Sequence, residues 1–244
     1  MPPFSGDLVW GEYLERLNRF VIAVRVAGKR EIAHLPNPGR LLEVLSPGRT
    51  VLLRRASGGR RTRWTAVAAD LGDFLVSLDS TLPNRAFPRF LSRGIFPELL
   101  GFQIVAREPR LGMGRADFLL SRGPERVWVE VKSVTLVVDG VALFPDAPTS
   151  RGVRHLRELS ARVRAGEKAW VVFVVQRPDA QRFGPNAALD PQFGRAFCQA
   201  LALGVEFRAV VCSFDGEELH PLSTLGPESL VLSAPCPASP RALP

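Results

Sequence analysis

Lysine is nearly missing from this chain. Of its 32 basic residues only Lys29, Lys132 and Lys168 are lysine; the rest are arginine. Cysteine is as scarce. Cys198, Cys212 and Cys236 are odd in number, widely spaced and form no Cys-x-x-Cys pair, which argues against a zinc site and for small core side chains in a reducing compartment. No apolar run approaches the roughly 20 residues of a membrane span. The opening Met1-Pro2-Pro3-Phe4-Ser5-Gly6-Asp7 has neither the basic nor the apolar segment of a secretory leader. The expectation is a cytoplasmic protein with no membrane partner. No helix-turn-helix and no internal repeat can be read, which weighs against operator recognition by that motif and against a repeat array. Acidic residues are outnumbered 24 to 32, for a net charge of +8. That surplus favours a polyanionic partner, nucleic acid first, and makes a peptide-binding protein the weakest alternative.

With lysine so rare, the position of Lys132 matters. It stands two residues after Glu130 in Val129-Glu130-Val131-Lys132, and Asp117 lies thirteen residues before Glu130. Arginine would supply charge equally well, but not a compact ammonium that can lie beside a water molecule. An acid followed by Glu-x-Lys on the next strand is the arrangement of a metal-dependent phosphodiesterase site. The stretch 126–134 alternates, placing Val127, Val129 and Val131 on one face and Trp128, Glu130 and Lys132 on the other. Arg122-Gly123-Pro124-Glu125 is a turn signal between this strand and one at 115–121. If Ser121 pairs with Arg126, paired residue numbers sum to 247 and Asp117 faces Glu130. Facing Cβ atoms lie roughly 4.5–5.5 Å apart. Two carboxylates that close need a cation, and Lys132 and a divalent metal would both serve. A surface hairpin with an ordinary Glu–Lys pair is the plainer alternative; the apolar residues on both faces of these strands weigh against it.

The chain divides by pattern. Residues 1–80 read as an OB-like nucleic-acid-binding barrel: strands at 8–17, 19–26, 30–35, 50–55, 62–71 and 74–78, with a helical turn or two at 40–45. Arg54, Arg55, Arg60, Arg61 and Arg63, with Trp64 beside them, are its densest basic cluster, either a groove with a stacking platform for single strands or a solvated hairpin with one packed Trp. Residues 81–232 read as a helix at 85–93, strands at 102–107, 115–121 and 126–134, an extended stretch to Phe144, a helix at 150–164, a strand at 170–176, a helix at 191–203 and a strand at 205–212. That order fits an α/β (α+β) restriction-endonuclease-like domain with a mixed central sheet. Residues 233–244, rich in proline, read as a disordered tail.

Several ordered motifs resemble the sugar fermentation stimulation protein family (SfsA). They are His34-Leu35-Pro36-Asn37-Pro38-Gly39, Thr81-Leu82-Pro83-Asn84-Arg85, Glu98-Leu99-Leu100-Gly101-Phe102, Asp117-Phe118-Leu119-Leu120, Val129 to Leu136, Phe144-Pro145-Asp146-Ala147, Arg151-Gly152, His155-Leu156-Arg157-Glu158-Leu159 and Val175-Gln176-Arg177-Pro178-Asp179. The resemblance implies an OB-like domain followed by a PD-(D/E)xK nuclease-like domain, DNA binding, and a name taken from an effect on sugar metabolism. It makes Asp117 and Glu130 the motif acids and Lys132 the motif lysine. One motif departs: the family's Cys-Pro-Asn-Thr-Gly-Ser is here Leu35-Pro36-Asn37-Pro38-Gly39-Arg40, which leaves no thiol or hydroxyl there and points to Asn37 and Gly39 as shape-determining.

The expected activity is Mg²⁺-dependent (or Mn²⁺-dependent) phosphodiester hydrolysis. Asp117, Glu130 and the Val131 carbonyl would hold the metal, and Lys132 would orient water or meet developing charge. Gln176 is expected at the exposed sheet edge, where it either contacts the scissile strand, with Arg177 on a phosphate, or makes a structural amide hydrogen bond. Arg151, Arg154 and Arg157 are either candidate DNA-backbone contacts or a solvated helix face. Glu98 is a second acid or a salt-bridge partner, Asp146 a metal-side acid or a turn cap, and His155 a half-buried histidine or a general base. The competing expectation is a non-catalytic DNA-binding regulator of sugar (maltose) metabolism with a vestigial nuclease fold. Oligomeric state is left open, a homodimer included.

Overall fold

The computed structural model describes residues 7–56 and 62–232. Six strands open the chain: β1 (Leu8–Asn18), β2 (Val21–Val26), β3 (Lys29–His34), β4 (Thr50–Arg55), β5 (Trp64–Asp70) and β6 (Leu75–Ser77). Their order is β3-β2-β1-β4-β5-β6, and a parallel pairing of Ala33 with Trp64 and His34 with Thr65 closes five of them into a barrel. Closure removes the free edges that an open sheet would present. The expected helix at 40–45 is a single turn, closed by the Leu45 N–H on the Leu41 carbonyl at 2.8 Å. Leu41 has φ 55° and is fully buried; a left-handed residue cannot continue a right-handed helix.

The second region contains α1 (Leu82–Ser92), β7 (Gln103–Arg107), β8 (Arg110–Leu111), β9 (Gly114–Arg115), β10 (Phe118–Arg122), β11 (Glu125–Val134), β12 (Val137–Val138), β13 (Val141–Phe144), α2 (Ser150–Arg164), β14 (Lys168–Val175), β15 (Arg182–Pro185), α3 (Pro191–Leu203), β16 (Glu206–Phe214) and β17 (Leu219–Leu225). The central sheet runs β17-β16-β14-β11-β10-β7, with β11, β14 and β16 parallel and the outer pairings antiparallel. Its two faces are both covered. Val127, Val129 and Val131 pack with Phe87 and Phe90 of α1 and with Leu52 and Ala68 of the barrel, so one apolar cluster spans both regions. Trp128, Val171 and Phe173 face Val153, Leu156 and Leu159 of α2 and Phe193 and Phe197 of α3. Each such side chain contributes about 1.5–3 kcal/mol when fully buried.

Both long helices begin on side-chain caps. Thr149 accepts the Gly152 N–H at 3.0 Å, and Asp190 accepts the Phe193 N–H at 2.9 Å. Gly204, at φ 97°, ends α3. The expected strand at 115–121 is broken. Residues 110–115 form their own hairpin, and Ala116 and Asp117 leave the ladder, bonding instead to Pro109 and Glu108. β17 was not expected because Pro221 interrupts its pattern; it lies at the sheet edge, where proline costs least. Cys212 is a buried core thiol, its pKa pushed by burial to about 12. Cys198 lies half-buried on α3. No helix among the described residues is long and apolar enough to cross a membrane.

Candidate metal and nucleic-acid site

The β10–β11 ladder pairs Phe118 with Val129, Leu120 with Val127, Ser121 with Arg126 and Arg122 with Glu125. Every pair sums to 247; Asp117 stands just beyond the last pair, where its side chain still reaches the β11 backbone. Asp117 Oδ2 accepts the Val131 N–H at 2.7 Å, and its Oδ1 accepts from Asn84 Nδ2 at 2.7 Å. α1 thus reaches across to orient the first acid. Burial, then repulsion from Glu130, raises the Asp117 carboxyl to about 6.

Glu130 is 2% exposed. One oxygen, Oε1, receives both Lys132 Nζ and the Nδ1 of His155 from α2. The other, Oε2, is buried with no partner. Burial alone would push this carboxyl up, but Lys132 and His155 outweigh it and hold Glu130 below the usual range. Arg151 Nε donates to His155 Nε2 at 3.4 Å, so Nε2 accepts and Nδ1 carries the proton given to Glu130. His155, 1% exposed, therefore positions an acid.

Could this set hold a metal? Among the described residues no three His, Cys, Asp or Glu side chains converge into a cage. Two carboxylates, one with an unsatisfied buried oxygen, and a strand carbonyl at Val131 do suit a hard cation that keeps several waters. The fit is that of an oxygen-ligated ion; sulfur and multiple imidazoles are absent from the set.

Beside it lies a groove of ≈530 Å³ whose wall carries Arg110, Arg115, Arg151 and Arg154, with His155 also lining it. All four arginines are exposed. The β8–β9 hairpin ends at Met113, 93% exposed, and is tied to α2 by the Met113 N–H on Glu158 Oε1 at 3.0 Å. Arg110, Arg115 and the Asn84–Asp117 bond were missed from the sequence. The Arg110-Leu-Gly-Met-Gly-Arg115 turn signal was the available clue to the first two.

Other expected site residues lie elsewhere. Gln176 is not exposed at the sheet edge: it is 0% exposed, its Nε2 bonded to Ser133 Oγ at 2.8 Å, because β14 is central and its end is covered. Arg177 is buried, paired with Asp179 and packed over Phe74 of the barrel, so it is not available to a phosphate. Arg157 points to the α2–α3 side, beside Arg164 and Gln199, because two residues past His155 is about 200° around the helix from the groove face. Glu98 is bridged to Arg208 at 3.0 Å near the starts of the parallel strands, the salt-bridge alternative. Asp146 faces the Gly39 loop rather than the two acids, receiving the Leu41 N–H at 3.4 Å. Trp64 packs against the barrel core rather than forming an open platform. Arg54 and Arg55 are exposed on β4, and exposed Arg63 bridges Glu31 at 3.2 Å. Arg60, Arg61 and the expected tail lie outside the described residues.

A closed five-stranded barrel joined to a mixed central sheet that carries an Asp…Glu-x-Lys hairpin defines an α+β protein of an OB-like barrel followed by a mixed-sheet region. Comparison with known sequences makes the family definite. The model described as "Sugar fermentation stimulation protein RE domain" matches residues 81–218, and "SfsA N-terminal OB domain" matches residues 14–78. This chain belongs to the sugar fermentation stimulation protein family. A sugar fermentation stimulation protein homolog from Desulfitobacterium hafniense is 45% identical over 211 residues, 86% of this chain and 91% of the relative. One from Caldanaerobacter subterraneus is 43% identical over 209 residues, 85% of this chain and 91% of the relative. The solved structure of Pyrococcus furiosus SfsA in complex with Ca²⁺ is 34% identical, has a TM-score of 0.83, and covers 91% of this chain and 96% of that one.

Proposed function

We propose that this protein is a Mg²⁺-dependent nuclease, Mn²⁺ serving as a substitute, that binds DNA and hydrolyses its phosphodiester bonds. One observation carries the reading: Glu130 Oε2 is a fully buried carboxylate oxygen without a hydrogen-bond partner, beside a second acid of raised pKa. Leaving such a group unsatisfied costs about 1–3 kcal/mol or more, and a cation held by Asp117, Glu130 and the Val131 carbonyl would satisfy it. That the Pyrococcus furiosus relative was solved with Ca²⁺ supports an oxygen-ligated divalent ion here. When bound, the metal would polarise a phosphate and lower the pKa of a coordinated water.

The chain's own residues supply the rest. Lys132, anchored on Glu130, presents its remaining N–H groups to water or to a non-bridging phosphate oxygen. Asn84 and His155 fix the two acids. Arg110, Arg115, Arg151 and Arg154 would track the phosphate backbone, with the barrel arginines Arg54, Arg55 and Arg63 as further contacts. The reading includes a cytoplasmic setting, where such a substrate is met.

The test is cleavage of labelled single- and double-stranded DNA and RNA with Mg²⁺ or Mn²⁺, comparing wild type with Asp117→Ala and Lys132→Ala. Metal-dependent cleavage by wild type that both variants lose is the expected result. Binding without turnover by wild type would favour the other reading, a non-catalytic DNA-binding regulator of sugar metabolism.

A further inference from the structure

The Leu35–Arg40 loop is heavily built for a connection outside the metal and nucleic-acid site. Arg16 donates to five carbonyls around it, those of Asn18, Arg19, Asn37, Gly39 and Arg40. Asn37 Oδ1 accepts the Gly39 N–H at 2.9 Å. Gly39 lies so close to Asp146 that a Cβ there would come within 2.8 Å of the carboxylate carbon. The loop takes no part in barrel closure, which rests on the β3–β5 pairing. What it does form is one wall of a cavity of ≈150 Å³, whose opposite wall is the strand carrying Lys132.

The lining of that cavity is chemically mixed. Asn37 and Thr135 are each 5% exposed. With Asn37 Oδ1 committed to the loop, its Nδ2 has no partner among the described residues, and neither has the Thr135 hydroxyl. Ser133 Oγ accepts from Gln176, so its own proton is free to donate. Asp146 offers a carboxylate, and Phe144 and Pro38 offer flat apolar surface. Polar groups that can read an edge, set between apolar faces, are what a small planar heteroaromatic ring requires. The volume equals that of about five liquid waters. That is room for one nucleobase, with its sugar and phosphate lying outside.

We propose that this cavity receives a single nucleobase of the bound strand, turned out of its stack, while the neighbouring phosphate lies at Lys132. The proposal rests on the nuclease reading above and adds to it a base-binding site beside the reacting bond. Asn37 Nδ2 and the Thr135 and Ser133 hydroxyls meet acceptors on the base edge, Asp146 meets its N–H groups, and Phe144 packs against the ring. Unstacking is cheapest for a base already unpaired, so cleavage is expected to favour single strands, mismatches or frayed ends over continuous duplex.

The experiment scans 2-aminopurine, whose fluorescence rises on unstacking, through a bound DNA strand at saturating protein, with Ca²⁺ in place of Mg²⁺. Wild type is expected to brighten the probe several-fold at one position next to the cleavage site. Asn37→Asp keeps the acceptor for Gly39 but removes the amide donor, and Thr135→Val keeps the shape but removes the hydroxyl; both are expected to abolish the increase while their thermal unfolding shows a folded protein. No bright position with wild type, or an unchanged one in both folded variants, overturns the base pocket. Cleavage without brightening overturns the pocket alone, whereas absence of any saturable nucleic-acid binding overturns both it and the nuclease reading.

Discussion

His155 gives its Nδ1 proton to the same oxygen of Glu130 that holds Lys132, which leaves the other oxygen of that carboxylate buried and unpartnered. A helix on one side of the sheet and a neighbour on the strand thus use half of the acid and leave half for a cation. Asp117 is held from the opposite side of the sheet, by Asn84 on one oxygen and the Val131 N–H on the other. The two acids are held by separate elements, so their contributions can be separated by experiment.

Asp117 makes stability depend on pH in a definite direction. Its carboxyl is raised from 3.8 to about 6, so between those values the folded chain keeps a proton that the unfolded chain has released. Stability from this group is full below about pH 4 and is lost as pH rises through 6. The shift of about two units corresponds to at most about 3 kcal/mol. Thermal unfolding of metal-free Asp117→Asn should therefore improve relative to wild type from pH 4 to pH 7. Added Mg²⁺ should raise the midpoint of wild type and leave that of the variant unmoved.

Replacing His155 by alanine removes an interaction that holds Glu130 below the usual carboxylate range. Because a metal binds the deprotonated acid, the rise of metal affinity with pH should move to higher pH. A loss of about 10- to 100-fold in metal affinity is expected at neutral pH. Calorimetric titration with Mn²⁺ across pH checks this. His155→Asn places an N–H where Nδ1 stood and should recover most of the affinity, which mere repacking would not do.

The groove arginines should appear in the salt dependence of binding. Each of Arg110→Ala, Arg115→Ala, Arg151→Ala and Arg154→Ala should lower the slope of log affinity against log salt by about 0.9 on duplex DNA, or about 0.7 on single strands. Arg157→Ala, on the far side of α2, should leave the slope as it is. Fluorescence anisotropy at several salt concentrations measures both, and equal slopes for all five variants would remove the groove from the nucleic-acid path.

What could be read along the chain was what neighbours in sequence decide. Alternation at 126–134 and the Gly123-Pro124 turn set the 247 register, because a two-residue side-chain period and a short connection leave little freedom. Caps and an apolar stripe bounded α2 and α3 at Ser150–Arg164 and Pro191–Leu203. Local pattern misplaced Gln176 and Arg177 at an exposed edge and left Trp64 open between a stacking platform and a packed side chain, since polarity and charge do not reveal whether the end of a strand is covered by another element.

The rest came from packing between distant segments. Asn84 meets Asp117 across 33 residues, His155 meets Glu130 across 25, and the Asn37 loop faces Lys132 only because the barrel and the central sheet share one apolar core. Helical periodicity says which face of α2 is apolar; it does not say which turn of that face lies over Glu130. The charges converging on the site were therefore legible one hairpin at a time, while the partners that tune them, and the cavity beside them, were settled by how sheets, helices and barrel close-pack.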